Sequence, residues 1–95
     1  MSGDRSKGVF YRRVALLGTG LIGGSLGIRL RERRLVREVA GYDRDGSTLR
    51  LALEKGAIDQ AMSSPLEAVR GAELIILAVP VLSMAGLLKQ VRPAL

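Results

Sequence analysis

Two hydrophobic patterns alternate along the chain: short continuous apolar runs, and segments in which apolar residues recur at helical spacing. The first run, residues 14–17, leads into a glycine-rich turn, after which Ile22, Leu26 and Leu30 lie four residues apart. A short continuous run is typical of a buried strand, and four-residue spacing is typical of an amphipathic helix. We therefore predict a strand that begins near residue 12 or 13, a turn and a helix.

The middle of the chain repeats this alternation. Residues 39–42 predict a second strand, and Asp45 is a favourable N-cap for a helix that runs to Lys55 and stops at Gly56. The expected buried face of this helix is Leu49, Ala52 and Leu53. A short third strand is expected over residues 58–61.

The last third contains a capping box and a long apolar run. The sequence Ser-Pro-Leu-Glu at residues 64–67 has proline at the first helical position and opens a brief helix expected to end at Val69. Residues 74–79 are continuously apolar, which is typical of a central parallel strand covered on both faces. A final helix is expected over residues 82–92.

A GxGxxG pattern joins the first predicted strand to the first predicted helix. Gly18 allows a tight turn because it has no Cβ. Gly20 leaves room for a pyrophosphate, and Gly23 allows close contact between helix and strand, which Gly27 extends one turn later. These roles predict a phosphate-binding turn.

The first helix also offers an anion-binding end. The amides of Leu21 and Ile22 have no partner inside the helix, and the helix dipole adds partial positive charge there, so we expect them to hold a diphosphate. Asp43 ends the second strand 20 residues after Gly23, which is the spacing of a dinucleotide-binding βαβ unit. The sequence therefore predicts a dinucleotide site.

Asp43 favours NAD over NADP as the ligand. Its carboxylate can accept hydrogen bonds from the adenosine ribose, whereas a 2′-phosphate would meet like charge that costs on the order of 4 kcal/mol per charge pair at about 4 Å. Arg44 can compensate by turning towards a 2′-phosphate or can lie across the adenine. We therefore predict NAD, with NADP as the weaker alternative.

Four strands that alternate with helices indicate an α/β fold, a Rossmann-type doubly wound parallel sheet in the order 3-2-1-4. Such sheets usually continue to strands five and six, so an incomplete sheet is expected. Residues 1–11 are expected to be a mobile polar lead, and residues 12–95 an N-terminal fragment of an NAD-binding domain. Strand four would then lie at an edge with poor cover, which predicts weak stability or aggregation.

Composition excludes several classes of protein. The 95 residues include no cysteine and no histidine, which argues against structural zinc, thiol chemistry and imidazole catalysis within this chain. No apolar run approaches the roughly 20 residues that span a bilayer, and the first residues lack the apolar core of a signal peptide. The expected location is the cytoplasm, with no membrane partner.

The net charge of +6 raises the alternative of a nucleic-acid binder. However, many of the basic residues crowd the end of the first helix and the following turn, where they complement the helix dipole. This basic cluster is Arg29, Arg31, Arg33, Arg34 and Arg37, with Glu32 and Glu38 interspersed. Because aromatic residues for stacking on bases are nearly absent, we expect a solvated helix end and no nucleic-acid partner.

Four stretches of the chain together resemble one family. They read GTGLIGGSLG at residues 18–27, AGYDRD at 40–45, LALEKGAID at 51–59 and GAELIILAVPV at 71–81. In this combination the chain is similar to the N-terminal nucleotide-binding domain of prephenate dehydrogenases and their arogenate- and cyclohexadienyl-using relatives. The resemblance covers residues 12–93, nearly the whole chain.

The resemblance implies an NAD-dependent oxidative decarboxylation of prephenate to 4-hydroxyphenylpyruvate in tyrosine biosynthesis. It places Ala78, Val79 and Pro80 beside the nicotinamide half of the cofactor and Arg44 beside the adenine. Ser25 belongs to the family motif, but a serine on a helix face can equally serve packing. The glycines, the Leu21 and Ile22 amides and Asp43 take the roles given above.

The family's catalytic histidine has no counterpart here, since the chain contains no histidine. The substrate-binding residues and the helical dimerisation domain are also expected only in a full-length protein, so this chain alone is predicted to be inactive. Two other functions stay open: the cofactor domain of another oxidoreductase of the 6-phosphogluconate dehydrogenase type, and a non-catalytic NAD-binding module.

Overall fold

The computed structural model describes residues 10–95, which form strands and helices around one sheet. In chain order the elements are β1 (Tyr11–Leu17), α1 (Leu21–Glu32), β2 (Val36–Tyr42), α2 (Gly46–Glu54), β3 (Gln60–Ala61), α3 (Pro65–Val69), β4 (Leu74–Leu77), α4 (Val81–Val91) and a 3-10 turn (Arg92–Ala94). The strands lie in the order β3-β2-β1-β4, and every neighbouring pair is parallel. The predicted fold class and strand order are confirmed.

Strand boundaries differ from the prediction by a few residues. β1 already includes Tyr11, whose amide donates to the Leu35 carbonyl over 3.1 Å, so the first strand begins within the predicted lead. Most of that predicted lead lies outside the described residues. β2 begins at Val36 rather than at residue 39, because Arg37 and Glu38 pair through their backbone while their side chains stay partly or fully exposed. A rule that searches for apolar runs does not detect such positions.

The helices cover both faces of the sheet, as a doubly wound fold requires. One face of β1 and β2 packs with α1 and α2, and the other face packs with α3 and α4. The fully buried side chains on the first face include Val14, Leu16, Val39 and Ile58, and those on the second face include Ala15, Leu17, Ala68 and Val91. The core therefore centres on β1 and β2.

The predicted close approach of the α1 glycines is confirmed, and the predicted buried face of α2 is partly wrong. Gly23 and Gly27 are the buried residues of α1, whereas Ile22 is 78% exposed and Leu26 is at the margin of exposure. A Cβ at Gly27 would clash with the carbonyl oxygen of Ala57, so only glycine allows this close approach. On α2, Ala52 is buried as expected, but Leu53 is exposed.

The fourth strand is also less covered than its apolar run suggests. β4 lies at the edge of the sheet and pairs with β1, and each of its four side chains is only half-buried. The prediction of a strand covered on both faces is therefore wrong for the described residues, while the expected edge position is confirmed. An apolar run indicates what a strand can bury but does not reveal its neighbours.

Two predicted caps are confirmed. The Asp45 side chain accepts a hydrogen bond from the Ser47 amide over 3.0 Å and begins α2, and Ser64 accepts one from the Glu67 amide over 3.1 Å and begins α3. Both contacts satisfy amides that a helix leaves without internal partners. They fix the turns that follow β2 and β3.

Candidate nucleotide-binding site

A cleft of about 560 Å³ opens at the carboxyl ends of β1, β2 and β4. Seven of the ten predicted site residues line it: Gly18, Gly20, Asp43, Arg44, Ala78, Val79 and Pro80. In an open parallel sheet this edge, where the strand order reverses, is the position at which ligands bind. The sequence and the topology therefore point to the same place.

The glycine turn after β1 forms the floor of the cleft. Gly18 has a φ of 100°, a region that favours glycine, and its amide donates to the Tyr42 carbonyl over 2.8 Å. A Cβ at Gly18 would also clash with the Ala78 carbonyl oxygen. At Gly20, by contrast, an added Cβ would meet nothing within 4 Å, so the backbone there faces open space.

The N-terminus of α1 follows directly. Gly20 is its N-cap, and no side chain of the described residues caps the helix. The first amides of a helix lack internal acceptors. Leu21 and Ile22 can therefore offer N–H groups, while their side chains point away from the cleft wall at 89% and 78% exposure. The N-terminus of α1 therefore has N–H groups that are available to an anion.

The third glycine of the motif acts through packing. Gly23 is buried, and a Cβ there would clash with the Gly18 carbonyl oxygen. It does not line the cleft. Its role is the predicted one of bringing α1 close to the turn, so it shapes the site without facing a ligand.

Asp43 lies beside the glycine turn and is hydrogen-bonded to it. Its Oδ2 accepts hydrogen bonds from the Thr19 amide over 2.8 Å and from the Thr19 hydroxyl over 3.3 Å. Its Oδ1 accepts one from the Asp45 amide over 2.9 Å. The carboxylate is half-buried at the rim of the cleft, so it is both fixed and accessible.

Arg44 is exposed at the same rim, one residue beyond the acid. On the other side of the glycine turn, Ala78 is held by its amide, which donates to the Leu17 carbonyl over 2.8 Å, and Val79 and Pro80 continue the wall. The predicted residues thus fall on two sides of the turn, with Asp43 and Arg44 beyond β2 and the other three beyond β4.

Ser25 is exposed on α1 and forms a hydrogen bond within its own helix. Its hydroxyl donates to the Leu21 carbonyl over 2.8 Å, within α1. It does not line the cleft. Such a bond to the carbonyl four residues earlier is a common way for a helical serine to satisfy its own hydroxyl.

Half of the residues that line the cleft were not predicted from the sequence. The remaining lining residues are Tyr42, Pro65, Leu82, Ser83, Gly86, Leu87 and Gln90. Ser83, Gly86, Leu87 and Gln90 share one face of α4, since their spacing is that of successive helical turns. This spacing was present in the sequence, but it acquired meaning only when the fold placed α4 beside the cleft.

Three titratable residues line the cleft. Tyr42, Asp43 and Arg44 are the titratable lining residues. Beside them, hydrogen bonds from the Ser47 hydroxyl and amide lower the pKa of the exposed Asp45 carboxyl below its ordinary range.

Among residues 10–95, no three acidic, histidine or cysteine side chains gather where a metal ion could bind. No helix of these residues is long and apolar enough to cross a bilayer.

Comparison with known protein families and sequences gives a consistent result. Residues 26–95 match the family model of the prephenate dehydrogenase nucleotide-binding domain. The chain is 35% identical over 83 residues to a prephenate dehydrogenase of Lactococcus lactis and 32% identical over 68 residues to one of Bacillus subtilis. These alignments cover 84% and 72% of this chain but only 22% and 18% of the relatives. The chain thus spans about a fifth of their length.

Solved structures show the same likeness. An arogenate dehydrogenase of Synechocystis superposes with a TM-score of 0.78 at 29% identity, over 86% of this chain and 28% of that one. A prephenate dehydrogenase of A. aeolicus, in complex with hydroxyphenyl propionate and NAD+, gives a TM-score of 0.79 over 88% of this chain and 30% of that one. At 24% identity, this second likeness supports the fold alone. Since the family model matches well over half of its residues, the chain belongs to the prephenate dehydrogenase nucleotide-binding domain family.

Proposed function

We propose that the cleft binds NAD and that the chain is the cofactor-binding part of an NAD-dependent prephenate dehydrogenase. The observation that carries the proposal is that two groups lie side by side in one cleft. An uncapped helix N-terminus with open space at Gly20 lies beside the fixed carboxylate of Asp43, which is hydrogen-bonded to the residue before Gly20.

The residues present fit a dinucleotide. The backbone at Gly20 and the amides of Leu21 and Ile22 would hold the diphosphate, because N–H groups and the helix dipole both favour an anion there. Asp43 would accept hydrogen bonds from the adenosine ribose. Arg44 would lie beside the adenine, at the exposed rim of the same side.

The other wall would border the nicotinamide. Ala78, Val79 and Pro80 follow β4 and present a largely apolar surface close to the turn at Gly18. Such a surface excludes water from a ring without binding it by charge. When bound, the nicotinamide supplies the hydride acceptor for the oxidation.

The preference for NAD over NADP rests on Asp43. Its carboxylate is held by three hydrogen bonds, so it cannot easily turn away from a 2′-phosphate. A pair of like charges at about 4 Å costs on the order of 4 kcal/mol at an effective dielectric near 20. Arg44 can offset only part of this cost, because it is exposed to solvent and to screening.

The reaction we propose for the whole protein is the oxidative decarboxylation of prephenate to 4-hydroxyphenylpyruvate in tyrosine biosynthesis. A base must take the substrate's hydroxyl proton, and this chain has no histidine to supply it. We therefore expect the chain alone to bind the cofactor without turning over prephenate. A homodimer is proposed only for a full-length protein, in the cytoplasm.

Nucleic acid is not a proposed partner. The arginine-rich turn lies before the start of β2, whereas the cleft lies at the opposite, carboxyl ends of the strands. Within it, Arg31 is already paired with Asp59, its Nη2 lying 2.7 Å from Oδ1. The turn is therefore explained as a solvated helix end.

Titration calorimetry of the chain with NAD and NADP tests the proposal, with the Asp43→Ala variant alongside. We expect saturable NAD binding, weaker NADP binding, and at least about tenfold weaker NAD binding by Asp43→Ala, the loss of one charge-assisted hydrogen bond. Glu54→Ala is the matched control, because Glu54 is an exposed acid that does not line this cleft.

The two variants carry the same change in charge. Equal NAD affinities for Asp43→Ala and Glu54→Ala would contradict the ribose role of Asp43. Absence of NAD binding by the folded wild-type chain would contradict the proposal as a whole.

A further inference from the structure

Thr19 lies between the first two glycines of the turn and was given no role by the motif. It is 4% exposed, which makes it a buried polar side chain in a core that is otherwise apolar among the described residues. Both its amide and its hydroxyl donate to the same atom, Oδ2 of Asp43. The glycine turn and the acid at the end of β2 are thereby joined in the absence of any ligand.

The acceptor sites of Asp43 can be counted. An ionised carboxylate offers about four lone-pair positions, two on each oxygen. The two on Oδ2 are occupied by Thr19, and one on Oδ1 is occupied by the Asp45 amide. One position on Oδ1 is therefore left for a ribose hydroxyl.

We propose that Thr19 is a positioning residue for ribose recognition. Together with the Thr19 amide, its hydroxyl fills the acceptor positions of Oδ2, so that the ribose is directed to the remaining position on Oδ1. The same restraint keeps the negative charge in place against a 2′-phosphate. Thr19 thus contributes to the choice between NAD and NADP without touching either nucleotide, an inference that rests on the proposed function.

The amide and the hydroxyl contribute differently. The amide bond, at 2.8 Å, belongs to the backbone and survives substitution, whereas the hydroxyl bond, at 3.3 Å, depends on the side chain. Removing the hydroxyl leaves the carboxylate held by one backbone amide on each oxygen and opens an acceptor position on Oδ2. A ribose hydroxyl is then no longer directed to Oδ1 alone. The expected consequence is poorer recognition of the ribose together with a weaker barrier to the 2′-phosphate.

The test compares Thr19→Val and Thr19→Ser with the wild-type chain, each titrated with NAD and with NADP. Valine keeps the β-branched shape and loses the hydroxyl, whereas serine keeps the hydroxyl. We expect Thr19→Val to bind NAD about three- to tenfold more weakly, because the Asp43 carboxylate then directs the ribose less well, with a smaller loss for NADP. The NAD-to-NADP affinity ratio therefore falls in Thr19→Val and recovers in Thr19→Ser.

The thermal midpoint of each variant separates positioning from a merely structural role. A purely structural hydroxyl would lower the midpoint and weaken both nucleotides by the same factor, leaving the ratio unchanged, and this result would overturn the inference. So would wild-type affinities in Thr19→Val while Asp43→Ala still loses NAD, an outcome that leaves the proposed function standing. Failure of the wild-type chain to bind NAD overturns both.

Discussion

The two flanks of β1 are built from similar apolar residues but are covered to different degrees. On the β2 flank, Val36 and Val39 are buried beneath α1 and α2. On the β4 flank, the side chains of Leu74–Leu77 are only half-buried, and α4 keeps Val81 and Leu82 at 79% and 98% exposure. The fixed part of the nucleotide site, the glycine turn with Asp43, belongs to the well-packed flank.

This difference separates two tasks within one small domain. The groups that must be placed accurately, such as the Asp43 carboxylate, rest on buried strands and on hydrogen bonds between neighbouring strand ends. The opposite wall of the cleft comes from α4, whose cleft face includes Ser83 and Gln90. A helix with fewer buried contacts unfolds locally at a lower free-energy cost. We therefore expect the α4 wall of the cleft to be more mobile than the side formed by the glycine turn and Asp43.

The largest expected effect distinguishes the flanks by stability. Ile58→Ala, at a residue 1% exposed and packed against Gly41, should cost about 2–5 kcal/mol in the free energy of unfolding, as for other fully buried isoleucines. Ile76→Ala in half-buried β4 should cost about 1–2 kcal/mol, because less contact and less apolar area are lost. Urea unfolding measures both values, and equal losses would remove the distinction between the flanks.

The second expected effect concerns self-association. Leu88 on α4 and Leu51 on α2 are equally exposed, at 47% and 48%. Leu88 shares a helix face with Val81, seven residues earlier, and so belongs to an exposed apolar stripe on α4, which is typical of surfaces that associate. Leu51 instead shares its helix face with the polar residues Ser47, Thr48 and Glu54.

Leu88→Ser should therefore reduce self-association of the chain, whereas Leu51→Ser should leave it unchanged. Sedimentation velocity over a range of concentrations measures the association of each variant. An equal change in self-association for both variants would mean that exposure alone governs association. The β4 flank would then not differ from the β2 flank in this property.

The glycine turn and Asp43 could be predicted from sequence because their requirements are local. A positive φ at Gly18, a close approach at Gly23 and an acid at the end of β2 each restrict the residue at one position, and their spacing follows from one strand and one helix. The two helix caps at Asp45 and Ser64 were predicted for the same reason. Local geometry leaves a signature in the residues that satisfy it.

The features that were not predicted from the sequence depend on which helices and strands pack together in the fold. Leu53 and Ile22 have helical spacing yet are exposed, since periodicity identifies an apolar face but not the partner that would cover it. Likewise, Ser83 and Gln90 became site residues only through the placement of α4. The contact between Thr19 and Asp43 joins positions 24 residues apart, and no local rule anticipates it.

The central claim is that the carboxyl edge of the sheet, between the glycine turn and Asp43, binds NAD. Nuclear magnetic resonance of the 15N-labelled chain during an NAD titration tests it residue by residue. We predict that the largest amide shifts fall on Gly18, Gly20, Leu21, Ile22 and Asp43, with smaller shifts beyond β4. Shifts centred on the arginine-rich turn before β2, or a folded chain with no shifts at saturating NAD, would contradict it.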